Sequence, residues 1–186
     1  MPAQQTVLLV GGTGRTGGRV LEQLLGRGVR VRAIVRSAAK LPSPVAKDPG
    51  LTVFEAGLLS LSDEDLEGHV RGCDAVISCL GHVITVNGIF GPPRALVTRA
   101  ATKLCRAIRA AQPSEPVRFV LMSSVSVNRP GGLDTRRGTF ERAVLWILRA
   151  VVPPAKDNQR AADFLNRSIG TDDPYVQWAA VRPDTL

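Results

Sequence analysis

The amino-acid sequence predicts a doubly wound α/β fold, in which helices cover both faces of one parallel sheet. Apolar runs of strand length alternate along the chain with helical patterns, as in βαβ units. The runs are almost continuously apolar, which is typical of strands buried on both faces. A glycine-rich turn joins the first run to the first helical pattern. We therefore expect a single domain over residues 1–186 with strand order 3-2-1-4-5-6.

The individual elements follow from hydrophobic periodicity and from capping signals. The predicted strands cover residues 6–11, 29–35, 51–56, 74–80, 117–123 and 175–182. The predicted helices cover residues 15–25, 62–70, 94–111, 138–151 and 157–168, with apolar residues repeating every three to four positions. Ser62 is expected to cap the second helix, because Asp65 follows it by three positions.

The chain is strongly basic, with a net charge of +8 and a pI of about 10.4. Its basic residues are mostly arginines scattered over predicted helix faces, without interleaved aromatic residues. Nucleic-acid recognition usually concentrates such charge on one patch. We therefore expect attraction to an anionic cofactor or to a small-molecule substrate, and not to nucleic acid. The oligomeric state is left open.

The sequence also predicts a cytoplasmic protein. No apolar run approaches the roughly 20 residues that span a bilayer, and we expect no membrane association. The N-terminus lacks a cationic stretch and leads directly into a strand pattern, unlike a signal peptide. Cys73, Cys79 and Cys105 form neither a CxxC pair nor a zinc-ligand spacing. They are interpreted as small apolar residues of the core, and no metal site is expected.

The turn "VGGTGRTGG" has the context of a dinucleotide-binding fingerprint, because a strand precedes it and a helix follows. Gly11 and Gly12 permit a tight turn, and Gly14 leaves room for a pyrophosphate at the helix N-terminus. Gly17 or Gly18 lets the helix pack closely on the sheet. The expected cofactor-binding residues of this turn are Gly11, Gly12, Thr13, Gly14, Arg15, Thr16 and Gly17.

The end of the second strand indicates which cofactor binds. NAD-dependent proteins usually place an acidic residue there to accept a hydrogen bond from the ribose 2′-hydroxyl. This chain has Arg36 and Ser37 at that position, and Lys40 follows. An arginine can pair with a 2′-phosphate, although a solvated arginine at a strand end is the simpler alternative. We therefore expect NADP(H) to be preferred over NAD(H).

The segments "VGGTGRTGGRV", "VRAIVRS", "DAVISCLG", "VRFVLMSS" and "VRPD" together resemble the atypical short-chain dehydrogenase/reductases. These are NAD(P)H-binding Rossmann-fold proteins of the NmrA-like and biliverdin reductase B-like type. The resemblance implies that Cys79, Leu80 and Gly81 run along the ribose and nicotinamide. It puts Leu58 near the adenine, where the family often has an aspartate. Its serine or threonine beside the nicotinamide matches Ser123 and Ser124, although serines can simply end a strand.

The sequence lacks the usual catalytic pair of the short-chain dehydrogenases. Short-chain dehydrogenases use a Tyr-x-x-x-Lys pair, but the only tyrosine, Tyr175, lies on a predicted strand with Ala179 four residues later. The resemblance leaves Ser124, Lys156 and His82 as catalytic candidates. Lys156 lies where related members keep a lysine or histidine, but "PPAKDN" is also a good helix start. His82 directly follows the "CLG" segment, and a structural loop histidine is equally compatible.

Two kinds of function fit these residues. The first is an NADPH-dependent oxidoreductase acting on a small carbonyl, quinone or flavin-like acceptor. The second is a non-catalytic redox sensor of the NmrA-like type, which the missing tyrosine favours. Epimerase chemistry on a nucleotide-linked sugar is disfavoured by the same absence. Because the chain stops just after "VRPD", it is expected to be either a minimal version or one lacking a C-terminal segment that covers the substrate.

Overall fold

Six parallel strands form one sheet in the order β3-β2-β1-β4-β5-β6. The computed structural model describes residues 4–43, 45–81, 95–124, 127 and 153–183. The strands are β1 (Thr6–Val10), β2 (Arg30–Val35), β3 (Leu51–Glu55), β4 (Ala75–Ser78), β5 (Val117–Met122) and β6 (Val176–Val181). The predicted fold class and strand order are therefore confirmed.

Helices connect the strands and run back from the carboxyl edge of the sheet. The described helices are α1 (Arg15–Gly26), α2 (Asp63–Val70), α3 (Leu96–Ala111) and α4 (Pro153–Phe164). A π-helical turn, Leu165–Ile169, continues α4, and two short 3₁₀ turns cover Ala38–Lys40 and Leu58–Ser60. No helix in these parts of the chain is long and apolar enough to cross a membrane.

The predicted elements that fall on described residues agree with the structure except at their ends. The side chain of Ser62 caps α2 by accepting from the Asp65 N–H at 3.0 Å, as expected. The prediction that the last helix begins at residue 157 is wrong: α4 begins at Pro153, because proline suits the first helical turn. Helix α3 begins two residues later than predicted. The helix predicted over 138–151 lies outside the described residues.

The described residues form two core clusters, one on each face of the sheet. Alternate residues of β1 supply both, since Leu8 belongs to one cluster and Leu9 to the other. Helix α1 covers the Leu9 face with Leu21 and Leu25. Helices α2, α3 and α4 contribute to the other cluster, in which Phe119 is fully buried. The sheet is thus covered on both faces, as the continuous apolar strands predict.

A buried carboxylate joins α4 to the N-terminus of α3. Asp157 is only 2% exposed, and its oxygens accept from the backbone N–H of Val97 at 2.8 Å and of Thr98 at 3.1 Å. The Thr98 hydroxyl donates to the same carboxylate at 2.6 Å. These N–H groups belong to the first turn of α3 and have no partner within the helix. Asp157 therefore caps α3 from a neighbouring helix.

Replacing Asp157 with alanine should lower the free energy of unfolding by about 2–3 kcal/mol, because the cap is lost and buried donors are left unpaired. Urea denaturation followed by circular dichroism measures the change. Asp172→Ala is the matched control, since Asp172 is exposed in a loop, and it should leave stability within about 0.5 kcal/mol. Equal stability of the two variants would contradict the capping role.

Candidate functional site

The candidate site lies at the carboxyl edge of β1, where the glycine-rich turn passes close to the end of β4. Gly11 has a φ of +82°, which favours glycine. A Cβ at Gly11 would lie 2.6 Å from both the carbonyl carbon and oxygen of Cys79. Only glycine therefore permits this approach of the two strand ends. The tight turn predicted at this position is present.

Two further glycines shape the turn. A Cβ on Gly17 would lie 2.0 Å from the carbonyl oxygen of Gly11, so the first turn of α1 packs directly on the strand end. This assigns to Gly17 the close packing that the sequence left open between Gly17 and Gly18. Around Gly14, by contrast, the Gly11 oxygen, at 3.3 Å, is the only atom of the described residues within 4 Å of where a Cβ would lie. The surface beside the exposed Gly14 therefore has room for a ligand.

The N-terminus of α1 attracts an anion. Its N-cap is Gly14, no side chain in the described ranges caps it, and its first turn contains no acidic residue. The first N–H groups of a helix lack intrahelical acceptors and carry a partial positive charge. Arg15 adds an exposed guanidinium there, where a cation opposes the helix dipole unless an anion is bound. Thr13 is exposed and Thr16 half-buried beside it. These groups fit a pyrophosphate.

The segment after β2 lies beside this helix terminus. A Cβ on Gly18 would meet the Pro42 side chain at 3.3 Å, so the chain that follows Arg36 folds back against α1. Arg36 and Lys40 are exposed, and Ser37 is half-buried. The structure therefore brings the predicted cations to the same edge of the sheet as the glycine-rich turn.

Hydroxyl groups collect at the ends of β4 and β5. The Oγ atoms of Ser78 and Ser123 are buried and have no hydrogen-bond partner among the described residues. Both serines lie on one face of the sheet, because Ser78 pairs with Leu121, two positions before Ser123. Ser124 follows, half-buried. Unpaired buried hydroxyls are costly. Because Ser78 is fully buried and Ser123 is 7% exposed, Ser123 is the one of the two that a ligand at this edge would reach.

The "CLG" segment lies at the same edge. Cys79 is buried, Leu80 is half-buried and Gly81 is exposed. Burial raises the pKa of the Cys79 thiol to about 11 and that of the Cys105 thiol to about 12. Both thiols are protonated at neutral pH and unsuited to act as nucleophiles. The interpretation of the cysteines as core residues is consistent with these environments, and Cys73 is buried as well.

The remaining candidate site residues lie in different parts of the structure. Lys156 is exposed in the first turn of α4, next to the capping Asp157. Leu58 packs its side chain into the core, which favours backbone contact with an adenine over side-chain contact. Tyr175 directly precedes β6 and lies at the opposite, amino edge of the sheet. His82 lies outside the described residues. Within the described ranges no group of three or more acidic, histidine or cysteine residues could hold a metal.

Sequence reasoning missed two residues of this edge. Ser78 was part of an apolar strand pattern, and only its polarity within that run could have indicated it. Glu55 ends β3 and pairs with Val35, directly before Arg36. Its Oε2 accepts from the Ala38 N–H at 3.0 Å. A carboxylate therefore lies beside the end of β2, where the local sequence contains none; the register of β2 and β3 would have revealed it.

Comparison with known proteins agrees with this geometry. A profile of the NAD(P)H-binding family matches residues 11–186. The chain belongs to the NAD(P)H-binding family. The match confirms that the chain binds NAD(P)H, as its resemblance to the atypical short-chain dehydrogenase/reductases implies. An uncharacterised chloroplastic protein of Arabidopsis thaliana is 34% identical over 122 residues, which are 66% of this chain and 42% of that protein. The matched part thus spans less than half of that relative.

Solved structures of this kind share the fold. An oxidoreductase of Lactococcus lactis is 19% identical, with a TM-score of 0.66 over 96% of this chain and 68% of its own. A Streptococcus pneumoniae protein considered to be an NADH-flavin reductase is 21% identical, with a TM-score of 0.59 over 96% of this chain and 71% of its own. At these identities the likeness establishes the fold, and the family match establishes a nicotinamide cofactor.

Replacing Gly17 with alanine should abolish cofactor binding and lower the free energy of unfolding by about 1–3 kcal/mol, because the new methyl group displaces the strand end at Gly11. Gly26→Ala is the matched control in the same helix, since a Cβ there would meet no atom of the described part of the chain within 4 Å. It should keep cofactor binding and raise stability by up to about 1 kcal/mol. Thermal melts and cofactor titration measure both effects; undiminished binding by Gly17→Ala would contradict the packing assignment.

Proposed function

We propose that the protein is an NADP(H)-dependent oxidoreductase acting on a small carbonyl, quinone or flavin-like acceptor. The observation that best supports this proposal is the exposed guanidinium of Arg36 at the end of β2. It makes no hydrogen bond or ion pair with any residue that the structure describes. Exposed Lys40 lies on the following turn. Two cations that form no ion pair with a described residue favour a 2′-phosphate over a 2′-hydroxyl at this position.

Each part of the site has a distinct role in this proposal. The N-terminus of α1, with Thr13 and Arg15, binds the pyrophosphate. The hydroxyls of Ser123 and Ser124 orient the nicotinamide end, and the nicotinamide supplies a hydride to the acceptor. Lys156, exposed in the first turn of α4, is the candidate donor of a hydrogen bond or proton to a substrate oxygen. His82 stays a second candidate for that role.

One observation favours a second function, that of a redox sensor that binds NADP(H) and acts through other proteins. The chain's one tyrosine lies at the amino edge of the sheet, away from the glycine-rich turn. The tyrosine acid of the related reductases therefore has no counterpart here. The cytoplasmic location, like the absence of nucleic-acid and membrane partners, stays a prediction, and the relative from Arabidopsis thaliana is chloroplastic.

Replacing Arg36 with alanine should weaken NADPH binding about 10- to 100-fold, the value of a charged hydrogen bond to phosphate. NADH binding should change less than about twofold, because NADH lacks the 2′-phosphate. Fluorescence titration with each cofactor measures this. Arg30→Ala is the control, since Arg30 is exposed at the amino end of the same strand. If Arg36→Ala keeps the same preference for NADPH over NADH, Arg36 does not bind the 2′-phosphate.

Measurement of enzymatic turnover distinguishes the oxidoreductase from the redox sensor. Purified protein is mixed with NADPH and with quinones, flavins or aldehydes, and the loss of nicotinamide absorbance is followed. We expect acceptor-dependent oxidation that Ser124→Ala and Lys156→Ala reduce without an equal loss of NADPH affinity. Tight binding without turnover on any acceptor class would favour the sensor. Failure of the protein to bind either cofactor would contradict both functions.

A further inference from the structure

A carboxylate from β3 lies against the segment after β2 that is expected to bind the cofactor's ribose. Glu55 is the last residue of β3 and pairs with Val35 of β2. Its Oε2 accepts from the backbone N–H of Ala38 at 3.0 Å. Ala38 begins the 3₁₀ turn after β2, and the side chain of its N-cap, Ser37, makes no capping hydrogen bond. Glu55 therefore provides from a neighbouring strand the cap that Ser37 does not.

The cations of this segment do not neutralise Glu55. Neither Arg36 nor Lys40 forms an ion pair with its carboxylate or with any other described residue. Arg36, Lys40 and Glu55 are all exposed. A negative charge bound to a backbone N–H thus lies next to two unpaired positive charges, within a segment only a few residues long.

We propose that Glu55 is a specificity-determining residue that limits the preference for NADPH over NADH. This inference rests on the proposed function, because it concerns the ribose end of the same cofactor site. A 2′-phosphate attracted by Arg36 and Lys40 comes close to the Glu55 carboxylate, and the two anions repel each other. They also compete for the Ala38 N–H. NADH brings no 2′-phosphate, so Glu55 does not oppose its binding.

The size of the effect follows from Coulomb's law. If a phosphate of charge near −2 binds about 6 Å from the carboxylate in water, the repulsion would weaken its binding about tenfold. The repulsion acts between exposed groups, so salt screens it. The charge of Glu55 therefore acts mainly on NADPH affinity, and mainly at low ionic strength.

Glu55→Gln tests the charge while preserving the shape, because the amide oxygen of glutamine can still accept from the Ala38 N–H. We expect NADPH to bind about tenfold more tightly to this variant at low salt. NADH affinity should stay within about twofold, and the gain for NADPH should shrink as salt is added. Glu115→Gln is the matched control, since Glu115 is exposed in the loop between α3 and β5 at the amino edge. It should change neither affinity.

The outcomes separate this inference from the proposed function. If Glu55→Gln leaves the ratio of NADPH to NADH affinity unchanged or lowers it, while Arg36→Ala lowers it, the role of Glu55 is overturned and the proposed function stands. If the unaltered protein binds neither cofactor, both are overturned. A rise in the ratio that Glu115→Gln does not reproduce supports the proposal. A thermal melt of each variant verifies that it is folded.

Discussion

The close contact between the end of β1, the first turn of α1 and the end of β4 is the constraint on which the site depends. Gly11 lies against the Cys79 carbonyl, and Gly17 lies against the Gly11 carbonyl. Side chains at either position would separate the three elements. Because they touch, the helix N-terminus, the "CLG" segment and the strand ends form one continuous edge. The glycines therefore bring several distant segments together at the edge where the dinucleotide is proposed to bind.

A second constraint concerns α3 and α4, whose first turns are joined by the Asp157 carboxylate. Asp157 of α4 caps α3, so the first turns of both helices are held together by buried hydrogen bonds. The same turn of α4 carries exposed Lys156. Asp157, a polar neighbour of the candidate lysine in the sequence, thus has a structural role. Of these two neighbours, Asp157 stabilises the fold, and Lys156 is the residue proposed to contact the substrate.

Local patterns predict a parallel α/β fold well because each element here has a clear signal. Apolar runs, the Ser62 cap and the glycine-rich turn are short-range features, and the family's strand order follows from them. Helix ends are harder to predict, since Pro153 starts α4 four residues before the predicted residue 157. The sequence did not indicate Ser78 or Glu55, because their importance depends on which residues of neighbouring strands lie beside them.

The sequence by itself determined the fold class and the strand order, and it predicted a dinucleotide site at the glycine-rich turn. These depend on hydrophobic period and on glycine placement, which are read along the chain. Only the tertiary structure decided that Gly17 is the close-packing glycine, that Asp157 is a buried cap and that Glu55 adjoins Arg36. The physical reason is that each of these depends on a contact between residues far apart in sequence: a helix against a strand end, a carboxylate on another helix, and the register of paired strands.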